Sequence, residues 1–247
     1  LYNVCNIKVD FPLPETPVTQ VKVPTGIFKL TFFKLFPLAP LISINLPFLA
    51  VLLFRGIEIN TQVAGEELSA KRLEPFWSKV EELDVLVFIH TAGFTHPDRL
   101  REHYFLNLIG HPIEASIAIS YLIFDGVMER HPGLKICVSH GGGYLPSYAG
   151  RMDHAYHARA DVREGLPHPP SYYLKQFYFD TVVFEPDQLN FLISKFGGDH
   201  ILLGTDYPYD MGEEDPIGLL SKVPNLSETD RALIEGKTAS NLLKLRN

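Results

Sequence analysis

The stretch Lys135 to Arg151, KICVSHGGGYLPSYAGR, carries the clearest chemistry in the chain. An apolar run, Ile136 to Val138, leads into Ser139 and His140, then into three consecutive glycines and a segment carrying Arg151. A strand that ends on a histidine and is followed by glycines exposes the imidazole at the carboxyl edge of a sheet, where the backbone can approach a ligand closely. A surface loop with an ordinary histidine reads the same way, so the motif gains meaning only from partners.

Partners stand at the ends of other apolar runs: Glu58 in FRGIEI, His90 closing VLVFIH, Asp180 in YFDTVVF and Asp206 closing ILLGTD. Imidazoles and carboxylates together suit a borderline divalent ion such as zinc, bound through nitrogen and oxygen. Singly each has a bland reading: His90 a satisfied core histidine, Asp180 a cap, Asp206 the first residue of an Asp-Tyr-Pro turn. Their joint occurrence carries the weight. His96, His103, His111, His131, His154, His157, His168 and His200 are placed in loops or on helix surfaces, with His154 and His157 read as a solvated pair.

The elements that must position these groups follow from periodicity. Strands are expected over 54 to 59, 85 to 90, 135 to 140, 178 to 184 and 201 to 206. Between them, helical spacing of apolar residues predicts helices over Glu67 to Leu83, Glu114 to Arg130, Leu145 to Arg159 and Asp187 to Phe196. A closing helix spans Ser227 to Leu245, where Ser227 and Asp230 form a capping pattern. Strands alternating with helices at this rhythm indicate an α/β fold of parallel units, in a closed or doubly wound sheet. In a barrel the carboxyl ends of such strands meet at one mouth. Residues 1 to 53 are atypical: short apolar pieces separated by prolines, and no histidine.

The chain has 247 residues, 46% of them hydrophobic, enough to bury one sizeable core, and it reads as a single domain over 1 to 247. A net charge of -7 argues against a nucleic-acid partner and for a small molecule. The two cysteines, Cys5 and Cys137, are too few for a disulfide framework, and a reducing cytoplasm is the expected compartment. Leu38 to Phe54 runs 17 residues without a charge, but Pro40 and Pro47 favour buried strands over a membrane helix.

VFIH (87 to 90), IGHPIEASIAI (109 to 119), HPGLKICVSHGGG (131 to 143), GRMDHA (150 to 155), FYFDTVVF (177 to 184) and ILLGTDYPY (201 to 209) together resemble the amidohydrolase-related metal-dependent enzymes. The likeness is greatest to the aminocarboxymuconate-semialdehyde decarboxylase group, and it covers about Phe54 to Leu245. It implies a (β/α)8 TIM-like barrel, distorted or incomplete at its N-terminal strands, and one divalent metal, zinc ahead of manganese. It further implies His90 and Asp206 as metal ligands and His140 as the histidine that moves a proton near them, so that His140 and Asp206 are the catalytic pair. Arg151 resembles the arginine that reaches a substrate carboxylate, in several members across a homodimer interface. Tyr209 takes the place of an aromatic residue lining the pocket. Asn107 stands where the decarboxylase has a tryptophan, which points to a different substrate. The family's first strand carries a His-x-His pair or a Glu-containing variant, and neither motif with histidine occurs in 1 to 53.

The function implied is metal-dependent nonoxidative decarboxylation of a small unsaturated or aromatic carboxylic acid. Hydrolysis of a lactone, ester or amide by the same site is the alternative. A catalytically impaired barrel serving as a binding subunit is the third reading.

Overall fold

The computed structural model describes residues 31 to 34 and 54 to 245. The expectations for the Pro-rich segment, including buried strands within Leu38 to Phe54, fall almost wholly outside these residues. Strand β1 (Thr31–Lys34) pairs antiparallel with β2 (Phe54–Ile59), and a short hairpin follows, β3 (Gln62–Val63) with β4 (Glu66–Glu67). Helix α1 (Glu74–Leu83) leads to β5 (Leu86–Ile89), α2 (His111–Phe124) and α3 (Val127–Arg130) to β6 (Lys135–Val138). Next come α4 (Leu145–Ala158), α5 (Ala160–Arg163), α6 (Pro170–Leu174) and β7 (Tyr178–Asp180). The chain closes with α7 (Pro186–Phe196), β8 (Ile201–Leu202), α8 (Pro216–Ser221), α9 (Glu228–Ala232) and α10 (Thr238–Leu242).

The main sheet runs β1-β2-β5-β6-β7-β8, and every neighbouring pair from β2 onward is parallel with helices between. This is the α/β alternation expected, and it supplies consecutive staves of a barrel; eight parallel strands are not reached among the described residues. All four residues of β5 and the last three of β6 are buried, as strands covered on both faces must be. Register aligns Ile59, Ile89, Val138, Phe179 and Ile201 across the sheet. The strand ends therefore lie at one level.

One face of the sheet, with Val87, Ile89, Ile136, Val138, Phe179 and Ile201, packs into the main core with Trp77, Ile119, Leu122 and Leu192 from the helices. The opposite face, with Leu86, Phe88, Cys137 and Leu202, is closed by Ala239, Leu242 and Leu243. Leu106 to Phe124 is apolar and long enough to cross a membrane, yet Ala115, Ala118, Ile119, Leu122 and Ile123 are buried in the core, as in a barrel-wall helix.

Several boundaries differ from expectation for local reasons. The helix over Glu67 to Leu83 begins only at Glu74, because Glu66 and Glu67 are held in the hairpin and Pro75 sets the first turn. The helix over Glu114 to Arg130 instead starts at His111 and breaks at Gly126, whose φ of +73° belongs to a left-handed linker. Strands 178 to 184 and 201 to 206 stop at Asp180 and Leu202, and the rest turns into loops that carry function. The cap at Ser227 is as expected: its Oγ accepts from Asp230 N at 3.0 Å.

His131, read as a loop histidine, is a structural clamp. Its ring is buried between Glu81 Oε2 and Glu74 Oε1, each 2.9 Å from a ring nitrogen, and Arg130 holds Glu74 with two contacts of 2.9 Å. The Arg130 guanidinium, with His131, keeps Glu74 down at about 2 against the opposing pull of burial. Glu74→Ala leaves Arg130 and one side of the buried ring unmatched, which costs about 2 kcal/mol. Thermal unfolding should fall by roughly 4–8 °C. Because the folded-state pKa is lowered, this stabilisation is complete above the ordinary carboxylate value and disappears as pH drops toward 2. Equal melting temperatures for the variant and the parent at pH 7 would remove the clamp from the account.

Candidate active site

His90 follows β5 directly and its N–H continues the ladder, donating to Ile59 O at 3.0 Å. Its ring lies on the same face as Phe88, 5.8 Å away and nearly parallel. Nδ1 stands 3.5 Å from Glu58 Oε1, and Nε2 stands 3.5 Å from Asp206 Oδ1. His140 Nε2 lies 3.7 Å from the other Asp206 oxygen, and Ser139 Oγ approaches its Nδ1 at 3.4 Å. One carboxylate thus divides its two oxygens between two imidazoles.

Both His140 and Asp206 adopt left-handed backbone, with φ of +56° and +58°. Such conformations cost a non-glycine residue about 1–3 kcal/mol and persist where surrounding contacts enforce them. After His140 the run continues through Gly141, Gly142 and Gly143, all at positive φ. A Cβ at Gly141 would sit 2.5 Å from Val183, and one at Gly143 2.2 Å from Pro112 O, so the tight approach requires glycine. The three glycines let the chain pack closely against Val183, Leu192 and Phe179 as it leaves β6.

One ligand atom from each of His90, His140 and Asp206 can be chosen so that all lie within 4.8 Å of one another. Donors sharing an ion at bond lengths near 2.1 Å are separated by about 3–4.2 Å, so a modest contraction of this cluster would seat a divalent cation on imidazole nitrogen and carboxylate oxygen. Glu58 at Nδ1 orients His90 as carboxylates behind metal-bound histidines do.

Burial works to lower the pKa of His90, but Asp206 and Glu58 together outweigh it and raise the ring to about 9. Burial pushes Asp206 up, yet His140 and His90 hold it near 2. Asp180 is 2% exposed, and burial drives its carboxyl upward. It does not join the cluster; it turns beneath His140, accepting from Gly141 N at 2.8 Å.

Three further residues are placed by the fold, beside this cluster or away from it. His111, assigned to a loop or helix surface, is half-buried with its ring parallel to that of His140, centroids 6.1 Å apart. Burial and the nearby His140 and His90 lower it to about 4. Topology could have revealed it: a residue opening the helix after a strand lies at the strands' carboxyl end. Asn107 sits on the turn of wide pitch, Leu106–Gly110, just before that helix. Arg151 is not brought to the cluster. It is exposed on α4 and lines an outer cavity of about 690 Å³ with Phe124, Asp125, Tyr148, Met152 and Glu164, beside the end of α2 remote from His111. The Tyr209 ring centroid lies 5.7 Å from that of His90. His154 and His157 are exposed.

Residues 48–245 match the family described as Amidohydrolase. The 2-amino-3-carboxymuconate-6-semialdehyde decarboxylase of Dictyostelium discoideum is 36% identical over 191 residues, covering 77% of this chain and 53% of its own length. The chain spans about half the length of the curated relatives it matches. Among solved structures, the 5-carboxyvanillate decarboxylase of Sphingomonas paucimobilis superposes with a TM-score of 0.70 at 23% identity, covering 78% of this chain and 59% of the other, a likeness of fold. The dihydroxybenzoic acid decarboxylase of Polaromonas sp. JS666, solved with bound manganese and the inhibitor 2-nitroresorcinol, gives 0.65 at 27% identity, covering 74% and 56%. With four-fifths of its length matched and the strand-end histidines and aspartate gathered at one point, the chain belongs to the amidohydrolase family.

Proposed function

We propose that this site catalyses metal-dependent nonoxidative decarboxylation of a small unsaturated or aromatic carboxylic acid. The observation that carries the reading is the meeting of His90, His140 and Asp206 within 4.8 Å at the strand ends. Its support is the decarboxylase chemistry named for the relatives on both the sequence and the structural side.

His90 and Asp206 would hold the ion, with Glu58 fixing the ring of His90. The ion supplies Lewis acidity and orients the substrate. Manganese, present in the Polaromonas relative, is the first ion to test, ahead of the zinc expected from the donor types and the family resemblance. His140 delivers the proton. As the carbon–carboxylate bond breaks and carbon dioxide departs, the electron pair stays on the substrate carbon and takes that proton. The uncharged His111 ring and Tyr209 form walls beside the reacting atoms. Arg151 faces outward, so in this reading it serves the neighbouring subunit of a homodimer, where its planar donors would pair with a carboxylate.

The test is direct. The purified chain, loaded with manganese, is expected to bind the ion stoichiometrically and to release carbon dioxide from at least one of a panel of hydroxybenzoic and unsaturated acyclic acids. Ring opening or ester cleavage without carbon dioxide would overturn the decarboxylase reading in favour of hydrolysis. Failure to bind any divalent ion would favour the binding-subunit reading.

A further inference from the structure

The two residues that do the proposed chemistry sit on separate loops, after β6 and after β8, and neither loop is paired with the other by backbone. Between them runs β7. Its last residue, Asp180, accepts from Gly141 N at 2.8 Å and from Val182 N at 3.2 Å, and the His140 N–H also faces this carboxylate. The next residue, Thr181, is fully buried, and its Oγ1 accepts from Gly204 N at 3.0 Å and donates to Gly204 O at 3.3 Å. Gly204 lies two residues before Asp206. The last residue of the strand and the one that follows it therefore grip the two functional loops, one each.

We propose that Asp180 and Thr181 are a pair of positioning residues that set His140 against Asp206: Asp180 fixes the left-handed His140 turn, and Thr181 fixes the approach to Asp206. The need for such a brace is visible in the backbone. His140 and Asp206 both hold positive φ, and without an enforcing contact each would relax toward ordinary regions and swing its side chain away. Thr181 follows the strand directly, its N–H donating to Leu202 O at 3.0 Å while its hydroxyl meets Gly204, so the end of β7 reaches the loops of both flanking strands. The inference rests on the decarboxylase reading for what the positioning achieves, but the bracing itself is testable without it.

The experiment compares four variants of the full chain: Asp180→Ala, Asp180→Asn, Thr181→Val and Thr181→Ser. Three quantities are read: affinity for manganese, kcat and KM for carbon dioxide release, and hydrogen exchange of the Gly141 and Gly204 amides in the metal-free chain. Asp180→Ala should lower kcat about 100-fold with KM and manganese affinity within threefold, and should expose the Gly141 amide alone, because it acts through His140. Thr181→Val should weaken manganese binding at least 10-fold and expose the Gly204 amide alone, because it acts through Asp206. Asn retains an oxygen that accepts and Ser retains the hydroxyl, so each should restore most of the loss.

A general loss of structure would move all readouts together and would not be rescued; that pattern, or no change in any readout, overturns the proposal. If Asp180→Ala does not fold, the Thr181 pair decides it through manganese affinity and Gly204 exchange. If the parent chain releases no carbon dioxide from any acid, the functional reading fails, while the exchange and manganese measurements still judge the brace.

Discussion

His140→Ala should abolish turnover, by about 10²–10⁴-fold, while manganese content stays close to that of the parent. The expectation follows from the division of labour around Asp206. His90 stands 3.5 Å from one carboxylate oxygen with Glu58 behind it, whereas His140 stands 3.7 Å from the other and has only Ser139 Oγ at its far nitrogen. A ring that a carboxylate backs on one side and faces on the other is built to stay put. A ring held by a neighbouring hydroxyl on a glycine turn is the better placed of the two to hand on a proton. Metal analysis alongside steady-state kinetics separates the outcomes. Loss of both metal and turnover would make His140 a ligand, and the proton donor would have to be sought elsewhere.

Manganese affinity should rise about tenfold for each pH unit from 6 to 9 and then level off, because the ion must displace one proton from His90. In the metal-free chain Asp206 and Glu58, acting against burial, raise that ring to about 9, so over this range it carries a proton before the ion arrives. Titration calorimetry in buffers of different ionisation enthalpy should record close to one proton released per ion at pH 7. Glu58→Gln removes one of the two charges that raise the ring, so the levelling-off should move to lower pH. The same shift has a consequence for stability without metal. A raised histidine contributes fully below its unfolded value of 6.5 and loses that contribution as pH climbs through about 9. Affinity independent of pH from 6 to 9 would show that His90 is not displaced, and the ligand assignment would fall.

Where residues repeat with a period, the chain was legible. Leu86 to Ile89 and Ile136 to Val138 are uninterrupted apolar runs, and such runs can be satisfied only by burial on both faces of a parallel sheet. Prolines stand in the first turns of α1, α2, α4, α6, α7 and α8, a mark that apolar spacing alone passed over: it set the expected starts of the first two helices at Glu67 and Glu114 and left α6 and α8 unread. The strand after Phe177 was read too long because Val182 and Val183 are β-branched; the ladder ends at Asp180, whose side chain serves the His140 turn, and a residue's propensity does not record such a tertiary contact.

The candidate site divides in the same way. Residue type alone determined that His90, His140 and Asp206 could bind an ion and move a proton, because donor atoms and acidity belong to the side chain itself. That Asp206 shares its oxygens between two rings, that His111 lies uncharged beside His140, and that Arg151 looks away from them was decided by tertiary structure. Distance and solvent exposure are properties of how strands register and loops turn, and these depend on contacts between residues far apart in the chain.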